Sequence, residues 1–316
     1  MNLFNKLKLK IQLFKNMGFR YTKFRIGHEF KRKIGFYQLK HPVQPKTKKG
    51  ISLAQWRQQQ PKFFYLDREE LKFPKMPNPD LKMELGFILS GKIKYFYDKW
   101  IDLGLQDDWI THPVTAYKYP LKHWSKIDDF NLENGDIKYV WEKSRFSYLL
   151  TVMRYDYHFQ EDHSYFVIDQ IMSWIENNPI NRGPNWKCSQ EISLRIINWT
   201  FLLYFYKNSS ALTEEKWTKI QQVIYWSLHH VYHHINFSRI AVRNNHAITE
   251  TLMLSVSKML FPYFTETEKW SKKGRKWLVK EINYQVYDDG TFLQFSMNYQ
   301  RVLVQLLSFG IALTEL

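Results

Sequence analysis

The stretch Thr213-Glu-Glu-Lys-Trp-Thr-Lys-Ile-Gln-Gln-Val-Ile-Tyr-Trp-Ser-Leu-His-His-Val-Tyr-His-His-Ile235 decides the fold. Trp217, Ile220, Ile224, Leu228, Val231 and Ile235 step by three and four, the spacing of one face of an α-helix. Thr213 ahead of Glu214 and Glu215 is a start signal, because a hydroxyl can cap free N–H groups and early carboxylates suit the helix dipole. Ile248, Leu252, Val256 and Leu260 repeat the pattern downstream. Thr265 with Glu268 reads as a capping box for the helix after that. Breaks fall at Asn177–Pro184, at Lys207–Ser210 and at Asp288–Gly290. About seven helices result, near 138–158, 164–177, 188–206, 213–236, 246–261, 266–286 and 297–316. Helices of similar length with short breaks predict stacked hairpins, as in a solenoid or an α/α toroid. The expected fold class is all-α, an incomplete (α/α) toroid. The chain stops inside an amphipathic helix at Leu313–Leu316 without a cap, so further helices are expected beyond it.

Upstream the pattern is different. Residues 1–50 are expected to be a basic helical segment and a linker, the linker being His41–Gly50 with two prolines and a glycine. Residues 51–136 read as a mixed lead-in with turns such as Met76–Pro79 and aromatic runs such as Lys94–Tyr97 that suit short strands. Residues 137–316 are expected to be the toroid.

Composition agrees with a thick helical core. Of 316 residues 44% are hydrophobic and 17% aromatic, with only 12 Gly and 11 Pro, which disfavours disorder and loop-rich β folds. The formal charge of +16 suits a polyanionic partner, whether nucleic acid, anionic lipid or acidic polysaccharide. Much of the excess lies between Lys6 and Lys49, so charge alone does not choose among these partners. The single cysteine, Cys188, excludes an intramolecular disulfide and a cysteine metal cluster. The basic N-terminus has no apolar core or cleavage site of a secretory signal. It suits an amphipathic helix on a membrane surface or one packed on the protein. No apolar run is long enough to span a bilayer. The compartment is left open, cytoplasmic or periplasmic.

Four short polar motifs carry the chemistry. Arg243-Asn-Asn-His246 opens a helix, with Glu250 one turn on. Ser296-Met-Asn-Tyr-Gln-Arg301 opens the last helix. Asn185-Trp-Lys-Cys-Ser-Gln-Glu191 precedes Ser193-Leu-Arg195. Gly135-Asp-Ile-Lys-Tyr-Val-Trp-Glu142 leads to Ser144-Arg145-Phe146. Singly, each is explained by capping and a buried hydrogen-bond network. Four together, at helix N-termini that favour anions, point to one site. His229, His230, His233 and His234 form two i,i+4 pairs of metal-binding spacing, but no carboxylate accompanies them. A polar-face position is expected for them, one reaching the groove. Asp288 and Asp289 before Gly290 read as turn residues. No phosphate loop, nucleophile elbow or zinc spacing occurs, and no cofactor is expected in this portion.

These motifs, in this order, resemble the heparinase II/III and alginate lyase family. Phe19–Tyr21, Lys33–Gly35, Asp108-Trp109, His112-Pro113, His123-Trp124 and Asp289–Tyr299 are also similar to it. The resemblance implies an α/α toroid followed by a β-sandwich, which lies outside this sequence. It implies a polysaccharide lyase acting by β-elimination on an acidic, uronate-containing polysaccharide. Asn245 and His246 then match the positions that neutralise the substrate carboxylate, and Tyr299 the acid/base. Gln300 departs from the histidine often found there, and the family draws a further histidine from later in its chain. The C5 proton of a uronate is weakly acidic because the carboxylate is already negative, so that charge must be offset. An amide donates hydrogen bonds without adding a competing base, and a phenol can protonate the leaving oxygen. As a base, Tyr299 needs a pKa lowered from about 10, with Arg301 the candidate neighbour. Arg145, Glu191 and Glu250 are expected at the groove, with Trp141 or Trp186 as a sugar-stacking wall. The alternatives are a non-catalytic or biosynthesis-linked module that binds such a polymer, and a nucleic-acid-binding solenoid supported by charge alone, which the three-residue constellation disfavours.

Overall fold

The computed structural model describes residues 3–59, 63–96, 98–105, 108–128 and 134–315, without the side chains of 3–11 and 13. Met1, Tyr97 and Leu316 of the segments read above lie outside them. Twelve α-helices and one two-stranded hairpin occur among the described residues. The first four helices are α1 (Leu3–Lys33), α2 (Phe36–Lys40), α3 (Leu53–Gln58) and α4 (Pro79–Leu89). Strands β1 (Lys92–Tyr95) and β2 (Lys99–Asp102) pair antiparallel with Ile93 opposite Ile101. There follow α5 (Lys138–Ser144), α6 (Ser147–Phe159), α7 (Ser164–Asn177), α8 (Ser189–Phe205), α9 (Glu214–His234), α10 (Asn245–Leu260), α11 (Glu266–Gln285) and α12 (Met297–Thr314). This is the expected all-α, toroid-type array.

The layers follow from burial. In α8, 14 of 17 residues are buried, and in α10, 13 of 16, so these are the inner helices. In α9 and α11 the counts are 11 of 21 and 6 of 20, so these form the outer layer and keep a polar face. The inner α10 packs on α8, α9, α11 and α12. Gln294, just before α12, accepts a hydrogen bond from the Asn245 N–H at 3.0 Å, while Gly310 further along α12 lies against Leu252. α10 and α12 therefore run the same way, with their N-termini at one end.

Three local features differ from the sequence reading. The helix expected over 138–158 is broken, because Phe146 adopts a left-handed backbone (φ 61°) and starts a new helix. Burial drives this: the ring is fully buried against Trp109, Trp174 and Trp199. Thr265 makes no capping box, since it is already helical (φ −59°, ψ −33°) and its hydroxyl bonds Glu266. The His41–Gly50 linker is docked rather than free. His41 is fully buried, and the Lys48 backbone exchanges two hydrogen bonds with the Gln222 side chain on α9. One core cluster runs from Tyr37 to Leu313, so the lead-in segment and the helical array share apolar contacts.

Candidate active site

The site begins where α9 ends. Phe237–Val242 forms a π-helical turn, closed by the Arg243 N–H on the Ser238 carbonyl at 2.7 Å. Arg243 then takes a left-handed backbone (φ 54°) and lies over Tyr284, its guanidinium carbon 3.7 Å from the ring centroid. This reversal lets Asn244 cap α10 by accepting the His246 N–H at 3.0 Å. Asn245 and His246 thereby occupy the first turn of α10, where the helix dipole favours an anion while the N–H groups of Asn245, His246 and Ala247 are already bonded to Gln294 and Asn244.

Asn245 is buried, and its Oδ1 has no hydrogen-bond partner among the described residues. His246 is half-buried, its Nδ1 3.8 Å from the Cys188 Sγ. Burial pulls its pKa down to about 4, against the raising effect of Glu191. The imidazole is therefore neutral at pH 7. Burial pushes the Cys188 thiol up, so it stays protonated. Both residues line a cavity of about 470 Å³, together with Trp141, Lys187, His234 and Glu250. The Trp141 indole N–H donates to the Pro184 carbonyl at 2.9 Å. Glu250 does not pair with His246 or an arginine. It accepts from the Ser238 hydroxyl, and burial raises its pKa well above the ordinary value, against the lowering effect of that hydrogen bond.

The other expected residues are placed elsewhere. Trp186 is fully buried beside Trp174 and His230, which removes it as a sugar-stacking wall. Arg145 and Glu191 do not line the cavity, because they are locked to each other. The guanidinium donates to both Glu191 oxygens, at 2.5 and 2.9 Å, and also to Glu142. The Arg145 charge holds Glu191 below the usual carboxylate range against the raising effect of burial. Tyr299 lies in the first turn of α12, at the same end as Asn245 but outside the cavity lining, and 42% exposed. Arg301 is exposed and donates to Asn298 at 3.4 Å rather than approaching the phenol. The histidines of α9 are not on a polar face. His230 is fully buried, His234 nearly so, and both pack on Trp124. Of the four, His234 reaches the cavity. No group of three or more metal-ligating side chains occurs among the described residues.

Sequence reasoning missed Arg25, His28 and Arg32 of α1, which form the facing wall of the cavity. Their i, i+3, i+7 spacing marks one helix face, but nothing local says what that face meets. It also missed Cys188 as the neighbour of His246, although Cys188 lies inside a motif that it singled out.

The fold is an α-helical toroid like the N-terminal domain of the heparinase III structures. The sequence matches the family described as "Heparinase II/III N-terminus" over residues 56–315, so the chain belongs to that family. It is 23% identical over 241 residues to a heparin-sulfate lyase of Bacteroides stercoris, covering 69% of this chain and 35% of that protein. Solved structures agree in fold. The heparan sulfate lyase HepC of Pedobacter heparinus aligns with a TM-score of 0.60 at 17% identity, over 83% of this chain and 39% of that one. A heparinase III with methylated lysines aligns with a TM-score of 0.59 at 17% identity, over 83% and 40%. The chain thus spans about a third of the curated relative and about two fifths of these structures.

Proposed function

We propose that this chain carries the helical half of a lyase that cleaves an acidic, uronate-containing polysaccharide by β-elimination. The observation that supports this most is the placement of Asn245 and His246 at the N-terminus of α10, at the end where α12 begins and beside the cavity. In this reading the Asn245 amide hydrogen-bonds the uronate carboxylate, and the helix N-terminus lowers the cost of charge as C5 loses its proton. His246, neutral by burial, donates one ring N–H to the same carboxylate. Tyr299 donates its phenolic proton to the O4 leaving oxygen of a substrate laid across the rim, and the C5 proton passes to the further histidine that the family draws from later in its chain. The toroid would be followed by a β-sandwich in the whole protein, and the lead-in (51–136) and toroid (137–316) would act as one platform.

The test is the ultraviolet absorbance of the unsaturated product. The intact protein is incubated with alginate, heparan sulfate, hyaluronan and pectic substrates. One of these should yield product. Tyr299→Phe should then lower kcat by about 10²–10⁴-fold with little change in KM. Binding of such a polymer with no product from any member of the panel would instead favour the non-catalytic module.

Peripheral membrane contact is a second reading, supported by the outward face of α1. Phe19, Ile26 and Phe30 are 68%, 67% and 62% exposed among Arg20, Lys23 and Lys31. No helix among the described residues is long and apolar enough to cross a membrane. Co-sedimentation with vesicles of anionic lipid, but not of neutral lipid, is the expected result. Equal recovery with both would count against it.

A further inference from the structure

Helix α1 precedes the residues that match the family, which begin at 56. Yet its second half closes one side of the His246 cavity. Gly18, at φ 77°, kinks the helix, and the segment beyond it docks on the π-helical turn. Phe24 and His28 meet Phe237 with ring centroids 6.5 and 5.0 Å apart. The Tyr37 hydroxyl and the His28 Nδ1 share a 2.6 Å hydrogen bond that ties α1 to α2. Arg25, His28, Glu29 and Arg32 then fall on one face and all line the cavity.

The charges on this wall are unevenly used. Arg32 is held by Glu29, Nε to Oε2 at 2.9 Å. Lys187 across the cavity donates to the Ile127 carbonyl at 2.8 Å. Asp128 and Glu250 are the remaining carboxyl groups of the lining, and Glu250 is engaged by the Ser238 hydroxyl. Arg25 has no ion pair or hydrogen bond among the described residues. Its guanidinium lies 5.6 Å from the Phe237 centroid, a cation–π contact that fixes the group without using its N–H fork. Two further polar atoms of the lining residues are buried and unpartnered, Glu250 Oε2 and His234 Nε2. Orphaned polar groups of this kind are costly, and a polyhydroxylated ligand entering the cavity offers them partners.

We infer that Arg25, presented by α1 against Phe237, is the anion-reading residue of this cavity and binds a carboxylate or sulfate ester of the acidic saccharide. The fork geometry of arginine suits both groups through paired N–H bonds. The inference rests on the function proposed above for the nature of the ligand, and it makes α1 a specificity element of the cavity.

The experiment measures binding of short oligosaccharides cut from alginate and from heparan sulfate to the intact protein, by calorimetry at two salt concentrations. Arg25→Gln should weaken binding at least tenfold and flatten the salt dependence, and Arg25→Lys should recover part of the loss. Carboxyl-reduced oligosaccharides assign the loss to a uronate if the variant and the parent then bind alike. De-sulfated ones assign it to a sulfate ester by the same criterion. Should Arg25→Gln fail to fold, Arg25→Met, which keeps an unbranched stem over Phe237, carries the same comparison. Tight binding by the parent and equally tight binding by the neutral variant would overturn the inference and leave the proposed function standing. No binding of any acidic oligosaccharide by the parent would sink both.

Discussion

Phe146 holds a left-handed backbone that costs an ordinary residue about 1–2 kcal/mol. Its fully buried ring offsets that cost. Two substitutions separate the terms. Phe146→Ala should destabilise by about 3–5 kcal/mol, the usual range for emptying such a site. Phe146→Gly should lose about 1 kcal/mol less, because glycine adopts this backbone without strain. Urea denaturation of the two variants measures the difference, and an alanine variant as stable as the glycine one would show that the backbone is not strained. At the candidate site, Asn245→Ala should lower kcat through lost charge stabilisation, with thermal stability nearly unchanged because its Oδ1 has no partner among the described residues. If Asn245→Ala turned over substrate at the parent rate, the assigned role of the amide would be wrong.

Among the elements, the contact of α10 with α11 depends on one missing side chain. A Cβ at Gly274 would lie 2.6 Å from the Ser255 backbone nitrogen, closer than packed atoms approach. The Ser271 hydroxyl also donates to the Ser255 carbonyl across the same seam. Gly274→Val should force the helices apart and destabilise by about 1–3 kcal/mol. The shift should also reach the candidate site, since the Asn245 backbone N–H donates to the Gln294 side chain in the turn after α11. Thermal melts and kcat of this variant should therefore fall together. A fall in stability with unchanged kcat would mean that the α10 end is held independently of the seam. A helical period was legible in both segments, but the sequence did not say that they meet at a glycine.

The whole molecule is tied together through histidines that are neutral in the fold. His41 after α2 lies 4.7 Å from His230 and 5.8 Å from His229 between ring centroids, and His28 of α1 lies 6.0 Å from His234. Burial, with mutual repulsion where the rings are close, pulls His41 to about 2, His229 and His234 to about 3, and His28 and His233 to about 4. Each is depressed from 6.5, so the unfolded chain binds more protons below that pH. Stability is thus full above pH 6.5 and falls as the pH drops from there towards 4. Each such histidine contributes a slope of up to about 1.4 kcal/mol per pH unit. Urea midpoints at pH 7.5, 6 and 5 should decline steeply, and His230→Phe should flatten the decline. A midpoint that does not change between pH 7.5 and 5 would show that these groups are not buried in solution.

The sequence by itself determined the helices of 164–316, the breaks between them and the all-α class, because hydrophobic period, caps and breakers act within a few residues. It also determined that Asn245, His246 and Tyr299 stand at helix starts, since those motifs lie beside the signals that begin helices. Only the tertiary structure decided that Trp186 and Glu191 are sealed away while Trp141 and Glu250 face a cavity. All four sit in polar or mixed motifs, and which side of a fully buried inner helix or loop meets a void depends on its neighbours. The break at Phe146 was likewise invisible, because a buried ring far outweighs a local preference. The wall of Arg25 and His28 was hidden for the same reason: contacts spanning some two hundred residues, from α1 to the π-helical turn, leave no mark in local spacing.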